Sequence, residues 1–431
     1  MSSRSPSSIA VERRGGRVRK RRLLVCLVLL TSVGLVIWWQ DRPLREISAL
    51  LAEEDFDASL TLANEFLAGH RRDSRAQILK ARALTGLGRH DAADALFRRV
   101  ALESSGFPDD SDALRAWSVS LLSSEKWLRA VSVLEILHQS APADPETLYR
   151  LTVARIRLRQ YEDALHSAKQ LSTVSGHEEE AHVMIGTIHH DRGNRQAALD
   201  AWEVVLNTNP AATNLQISAG EFKAMVGEEL LELGFPQRAA EILEESVKTE
   251  SMARAYTYLG RAYSQTNRQA KASQAWQDAL RCDDMDVEAR EELANAALRE
   301  RQPQQAVELM QPLAAANRIK SSSAYVLQRA YAQLRQKENT ERWRDRANAL
   351  REIEKKRSQI AELIRKEKDP FWSGFLHAYD LADQKQWASA ERIVSDMLLQ
   401  HPDADLLRDL AESIRQRNQL PELSRLMGKQ Y

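Results

Sequence analysis

Cysteine is almost absent, with two in 431 residues. Cys26 lies in an apolar run and Cys282 far away in a polar stretch. They have no plausible way to pair within one chain, so a disulfide framework and a cysteine zinc site are both excluded. Glycine (16) and proline (12) are sparse and aromatics make up 6%. Alanine, leucine, arginine and glutamate dominate instead, which is an all-helical composition. Net charge is also lacking: 61 basic residues face 61 acidic ones. That zero hides an asymmetry. Eight Lys/Arg and one acid precede Leu23, a net +7, and the remaining 53 bases and 60 acids leave −7. A mildly acidic body excludes nucleic acid as the partner. The catalytic signatures G-x-x-x-x-G-K-[ST], G-x-S-x-G and G-x-G-x-x-G are missing too, and no non-repeating stretch is long enough for a catalytic domain. No enzyme activity, cofactor or metal is expected.

One long hydrophobic run is present. Residues 23–39 carry no charge. At 1.5 Å per residue they span about 26 Å as a helix, near the lower limit for a bilayer core. Trp38 and Trp39 close the run, where aromatic belts sit. Arg13, Arg14, Arg17, Arg19, Lys20, Arg21 and Arg22 crowd its start. Residues 1–22 are therefore expected to be a disordered basic cytoplasmic tail, and 23–39 a single transmembrane helix. By the positive-inside rule the body then stands outside the cytoplasm, as at a bacterial inner membrane. A cleaved secretory signal is the bland alternative. Against it, the run is followed by Trp-Trp-Gln-Asp-Arg-Pro and not by a small-x-small cleavage site.

From Gln40 onward the chain repeats. The clearest unit reads Tyr256-x2-Leu259-Gly260-x2-Tyr263, then Ala272-x3-Trp276, then Ala279. Tyr256, Leu259, Gly260 and Tyr263 share one helical face. Gly260 and Ala272 are small where two helices would cross. Units can be started at 40, 74, 111, 145, 179, 220, 253, 287, 321, 371 and 404. The twentieth residue is alanine in eight of ten, and the twenty-fourth is usually large, as in Phe97, Leu134, Trp202, Trp276 and Met310. The pattern resembles the tetratricopeptide repeat, a helix–turn–helix unit of about 34 residues. The resemblance implies an all-α, right-handed superhelical solenoid, preceded here by the transmembrane helix. About nine units fill residues 40–340, and a last one with capping helices fills 371–431.

Local signals agree with this register. Asp144-Pro145 offers an N-cap and a first-turn proline. Residues 104–110 hold Gly106 and Pro108 and should form a longer surface loop. Residues 211–219 form a second insert. Residues 341–370 break the pattern: they are dense in Arg, Lys and Glu, and Trp343, Leu350, Ile353, Ile360 and Ile364 mark a seam interrupted by Arg346 and Arg357. One reading is a long exposed helix with a single stripe packed on the solenoid. The other is a short coiled coil through 343–364 that makes a homodimer.

His177-Glu178-Glu179-Glu180-Ala181-His182 approaches a metalloprotease H-E-x-x-H, but the second histidine comes one residue late. At i+5 the two rings point about 140° apart and cannot share a zinc. His182 and His189 are expected as half-buried core residues at repeat positions 4 and 11. That leaves binding. By resemblance, positions 2, 5, 9 and 12–13 of each unit face the superhelix groove, where such proteins hold peptides or partner segments. These positions give Arg115, Tyr149, Arg254, Arg261, Asn295, Tyr325 and Arg329 as a candidate protein-binding groove. The Lys/Asn carboxylate clamp of chaperone-binding members is not found. The expected role is a membrane-anchored scaffold assembling or tethering an envelope complex. The alternatives are a ligand-sensing or carbohydrate-binding solenoid, and a cytoplasm-facing membrane adaptor.

Overall fold

A computed structural model describes residues 42–103, 110–367, 369–417 and 420. The expected tail, the apolar run 23–39 and most of the loop at 104–110 lie outside the described residues. Among the described residues no helix is long and apolar enough to cross a membrane. Every described element is a helix, and the chain divides into two compact units, residues 1–125 and 126–431.

The first unit holds α1 (Arg42–Ala52), α2 (Phe56–Gly69), α3 (Ser74–Gly86), α4 (His90–Glu103) and α5 (Ser111–Ser123). Small residues let its helices approach: a Cβ on Gly86 would stand inside the Phe56 ring. The buried Trp117 stacks on Phe97 at 5.6 Å and donates its indole N–H to Asp94 at 3.1 Å, which satisfies a polar atom that burial would otherwise strand.

The second unit runs through α6 (Trp127–Ser140), α7 (Pro145–Arg157), α8 (Tyr161–Leu171), α9 (Glu178–Asp191), α10 (Arg195–Thr208), α11 (Ala219–Glu232), α12 (Pro236–Thr249), α13 (Ala253–Gln265), α14 (Gln269–Cys282), α15 (Val287–Arg299), α16 (Pro303–Ala315), α17 (Ser321–Gln333), α18 (Lys337–Lys366), α19 (Pro370–Asp383), α20 (Trp387–Gln400) and α21 (Asp405–Gln416). In most pairs, the first helix opens on a side-chain cap: Asp144, Ser218, Asp286 and Asp369 each accept from a backbone N–H in the first turn. Inside a pair, position 8 meets position 24. A Cβ on Gly260 would collide with the indole of Trp276, and one on Gly186 with that of Trp202. Both indoles donate to the facing helix, Trp276 to Thr257 O at 3.3 Å and Trp202 to Val183 O at 3.1 Å.

Each turn inside a pair has the same construction. Residue 15 of the unit is left-handed in all ten: Glu54, Gly88, Glu125, Arg159, Gly193, Gly234, Asn267, Arg301, Arg335 and Lys385. The next amide then reaches back five residues, as Arg268 N does to Tyr263 O at 2.8 Å and Gln302 N to Ala297 O at 2.8 Å. This is the Schellman closure, which satisfies carbonyls at the helix end and swings the chain into the second helix.

Curvature follows from contact asymmetry. First helices of neighbouring pairs touch (α11 with α13, α13 with α15, α15 with α17), whereas second helices make no comparable contact. The first helices therefore line the inner, concave face of this unit. The charged segment forms the 30-residue helix α18. Its stripe is used inside the chain: Ala347, Ile360 and Ile364 are buried and Trp343 is half-buried, leaving Ile353 exposed. Glu354 accepts from Ser321 N at 2.8 Å and from its hydroxyl, capping α17 from outside. The last turns of α18 join α19–α21 in one apolar cluster around Phe375, Tyr379, Met397 and Leu410.

Candidate functional site on the inner face of the second unit

The inner face carries two kinds of side chain. Toward the middle of the second unit it is a ladder of alternating charge. Glu229 on α11 is fully buried; His190 of α9 hydrogen-bonds it through Nδ1, and Arg195 donates to it at 3.0 Å. Arg195 also lies 3.5 Å from Glu232, and Glu232 accepts from Arg261 on α13 at 2.9 Å. Arg261 reaches Glu288 on α15 at 3.3 Å. Arg254 pairs with Glu228, and both arginines lie over the ring of Tyr258, at 5.6 and 5.8 Å. Further along, Arg329 donates to Asn295 at 3.0 Å and lies over Tyr325. The ladder thus bridges successive first helices. Charges of both signs on one face of consecutive repeats hold the stack in register at little cost, because most are half-exposed.

The titrating groups reflect this. The hydrogen bond that His190 donates to Glu229 raises the His190 pKa, and burial only partly opposes it. Burial pushes the Glu229 carboxyl up, yet the bonds from His190 and Arg195 outweigh it and hold it below its usual range. Burial raises Glu288 and Glu292, with Arg261 and Arg299 respectively working against it. Burial and Glu228 push the Tyr258 phenol up to about 12.

Toward the start of the unit the inner face turns apolar and concave. A cavity of about 420 Å³ is lined by Tyr149, Val153, Ile156 and Arg157 of α7, by Glu180, Val183, Met184, Thr187 and Asp191 of α9, and by Leu215, Gln216 and Ile217. The last three belong to the insert between α10 and α11. Across the insert α9 and α11 touch less than α7 and α9 or α11 and α13 do, and the insert's Leu215 and Ile217 pack against the core. Asn209 pins it by donating to Glu179 and to Thr213 O, both at 2.8 Å. A second, polar cavity of about 770 Å³ lies on the insert's other side, against His177, Glu178, Glu179, Glu180 and His182.

Six of the seven expected groove residues stand in this unit and Arg115 in the other, 3.8 Å from Asp112. Tyr149 opens into the apolar cavity. Arg254, Arg261, Asn295 and Arg329 are held by neighbouring repeats, and Tyr325 is about half exposed. Sequence reasoning missed Val153, Ile156, Val183 and Thr187, although they occupy the same positions 5, 9 and 12. The expected set holds arginine, tyrosine and one asparagine, Asn295, and no aliphatic residue. It also missed Leu215 and Ile217, whose only signal was apolar residues in an otherwise polar insert. His182 and His189 are half-buried, and their Nδ1 atoms have no hydrogen-bond partner among the described residues. Burial, with Arg192 and Lys169, lowers the His189 pKa. Among the described residues no His/Cys/Asp/Glu group could hold a metal ion.

Comparison with known proteins returns two family matches. The family described as Psidin, N-terminal TPR repeats region, matches residues 41–183, and that described as Tetratricopeptide repeat matches residues 226–286. No curated protein matches. Among solved structures, a tetratricopeptide repeat protein from Parabacteroides merdae is 12% identical with a TM-score of 0.42, covering 58% of this chain and 96% of its own. PilW, described as a widely conserved type IV pilus biogenesis factor, is 13% identical at 0.42, covering 48% and 92%. YrrB, described as a TPR protein with an unusual peptide-binding site, is 15% identical at 0.36, covering 45% and 95%.

Proposed function

The chain is a tetratricopeptide-repeat protein, and from this premise we propose that its second unit holds an extended segment of a partner protein on its inner face. The observation carrying this is the cavity between α7, α9 and the insert. Its walls are aliphatic, Tyr149 stands at its edge, and Glu180, Asp191 and Arg157 supply charge beside it. A volume of about 420 Å³ suits one or two large apolar side chains, anchors of the kind that carry most binding energy at interfaces. The charge ladder beyond it is already paired, so it would contribute register and polar contacts. A carbohydrate site would present aromatic faces with few charges, and this face has the reverse.

The scaffold is tethered by residues 23–39 as a single-pass span, with the basic tail in the cytoplasm and the body outside it. Tethering confines the search for partners to the membrane surface and raises their effective concentration. The role is assembly or tethering of an envelope complex. Two experiments test this. A photo-crosslinking residue at Tyr149 or Val183 should capture a partner in cells, whereas one at Arg281, exposed on a second helix, should not. Thr187→Arg, which fills the cavity, should remove the product from Tyr149; a product that persists refutes the site. A reporter active only outside the cytoplasm, fused after Tyr431, tests orientation. A silent reporter would make the protein a cytoplasm-facing adaptor.

A further inference from the structure

The second unit closes on itself. Its first helix, α6, touches α20 of the last complete pair, more than 250 residues later in the chain. Arg129 Nε on α6 lies 3.3 Å from Asp396 Oδ1 on α20, and both side chains are largely shielded from water, 16% and 10% exposed. Leu128 beside it packs against the apolar cluster that α18 shares with α19–α21. His377 of α19 is within reach of the charge on Arg159, which sits in the left-handed turn between α7 and α8. Burial first, and that charge second, hold the His377 pKa down to about 4.

The reach is made by α18. An ordinary second helix here, such as α14, has 14 residues. α18 has 30, and at 1.5 Å per residue it runs about 45 Å. The part beyond Glu354 projects past the start of α17 and carries Ile360 and Ile364 into the terminal cluster. Lys356 pairs with Asp383 at 3.6 Å and fixes that cluster to the helix. The terminal cluster is thus a small block with its own core, delivered by one long helix to the far end of the arc of repeats. Its joint to α6 is slight compared with the contacts between neighbouring pairs. A shielded ion pair of this kind is specific more than strong: together the charges roughly offset their desolvation, while either one alone is costly.

We propose that α19–α20 is a latch: the Arg129–Asp396 pair holds the second unit shut, and its release opens the inner face to a partner. The proposal rests on the groove reading for its purpose and on geometry for its existence. Shut, the joint ties the α6 end of the inner face to the terminal block. Open, the inner face presents the first helices from α7 to α17 along one accessible side.

The test needs no partner, so it fails or succeeds separately from the groove assignment. Spin labels are placed at the exposed Gln139→Cys on α6 and Ser395→Cys on α20. The background is full-length chain carrying Cys26→Ser and Cys282→Ser. The wild-type pair should give one short, narrow distance distribution. Arg129→Glu should lengthen and broaden it, and the exchanged pair Arg129→Glu with Asp396→Arg should restore it. Hydrogen exchange on α19–α21 should stay slow in all three, because the terminal block keeps its core. A distribution already broad in the parent, or one unmoved by Arg129→Glu, overturns the latch. Fast exchange throughout α19–α21 in Arg129→Glu overturns it too, by making the contact part of that block's folding.

Discussion

Glu229→Gln is the sharpest test of the charge ladder. The carboxylate is fully buried and holds two cationic partners from neighbouring elements, His190 on α9 and Arg195 on α10. Hydrogen bonds to charged groups contribute about 1.5–3 kcal/mol each. Removing one side of a buried pair can cost about 3–5 kcal/mol. The partners here are 31% and 41% exposed, so water recovers part of the loss, and Arg195 keeps Glu232. The expected cost is therefore about 2–3 kcal/mol, local to the junction of α9, α10 and α11. It also carries a pH signature. His190 has a folded pKa above its unfolded value because Glu229 holds its proton. That stabilisation is complete below pH about 6.5 and disappears as pH rises through the folded pKa. Solenoids do not unfold all at once, so the assay is hydrogen exchange of α9 and α11 amides, from pH 6 to 9, in both proteins. The gap in opening free energy should be wide at pH 6 and narrow at pH 9. A gap of constant size would refute the His190–Glu229 coupling, and no gap would refute the ladder as a structural element.

Three further outcomes follow from the same geometry. Arg301→Gly should stabilise its repeat by about 0.5–1 kcal/mol in denaturant unfolding, because Arg301 sits at φ 59°, where only glycine escapes the Cβ clash; destabilisation would refute the Schellman turn. Gly260→Ala should cost about 2–3 kcal/mol through overpacking against Trp276, visible as a lower denaturant midpoint with tryptophan fluorescence altered; a neutral result would mean the two helices do not meet there. His377 has a folded pKa lowered to about 4, so stability present above pH 6.5 should fall as pH drops through 4, by at most about 3 kcal/mol at 1.4 kcal/mol per pH step. His377→Gln should flatten that acid slope, and an unchanged slope would mean that the imidazole is not held neutral by burial.

Helix class, repeat length and the phase of each helix were legible in the sequence because they are local. Apolar residues three and four apart dictate which face of a helix is buried, and a small residue at position 8 opposite a large one at position 24 dictates how a pair crosses. Tyr256, Leu259, Gly260, Ala272 and Trp276 carry that information on their own. The turns were half legible. Gly88, Gly193, Gly234 and Asn267 announce a left-handed residue, but Glu125, Arg159, Arg301, Arg335 and Lys385 adopt the same conformation against their own preference, because the turn into the second helix requires it.

The site itself depended on distance in space. Arg254, Arg261 and Arg329 looked like free recognition groups until Glu228, Glu232, Glu288 and Asn295 arrived from repeats about 30 residues away. The cavity exists because the insert at 211–219 lies beside one junction and returns Leu215 and Ile217 to line it. Neither effect has a periodicity to betray it. The sequence by itself determined that this chain is a stack of helical pairs and which residues join each pair. Only the tertiary structure decided which charges are spent between repeats, where the inner face is hollow, and that the long helix α18 carries the last pair back to Arg129. Local propensity sets the first group, whereas the second depends on contacts between residues tens to hundreds of positions apart.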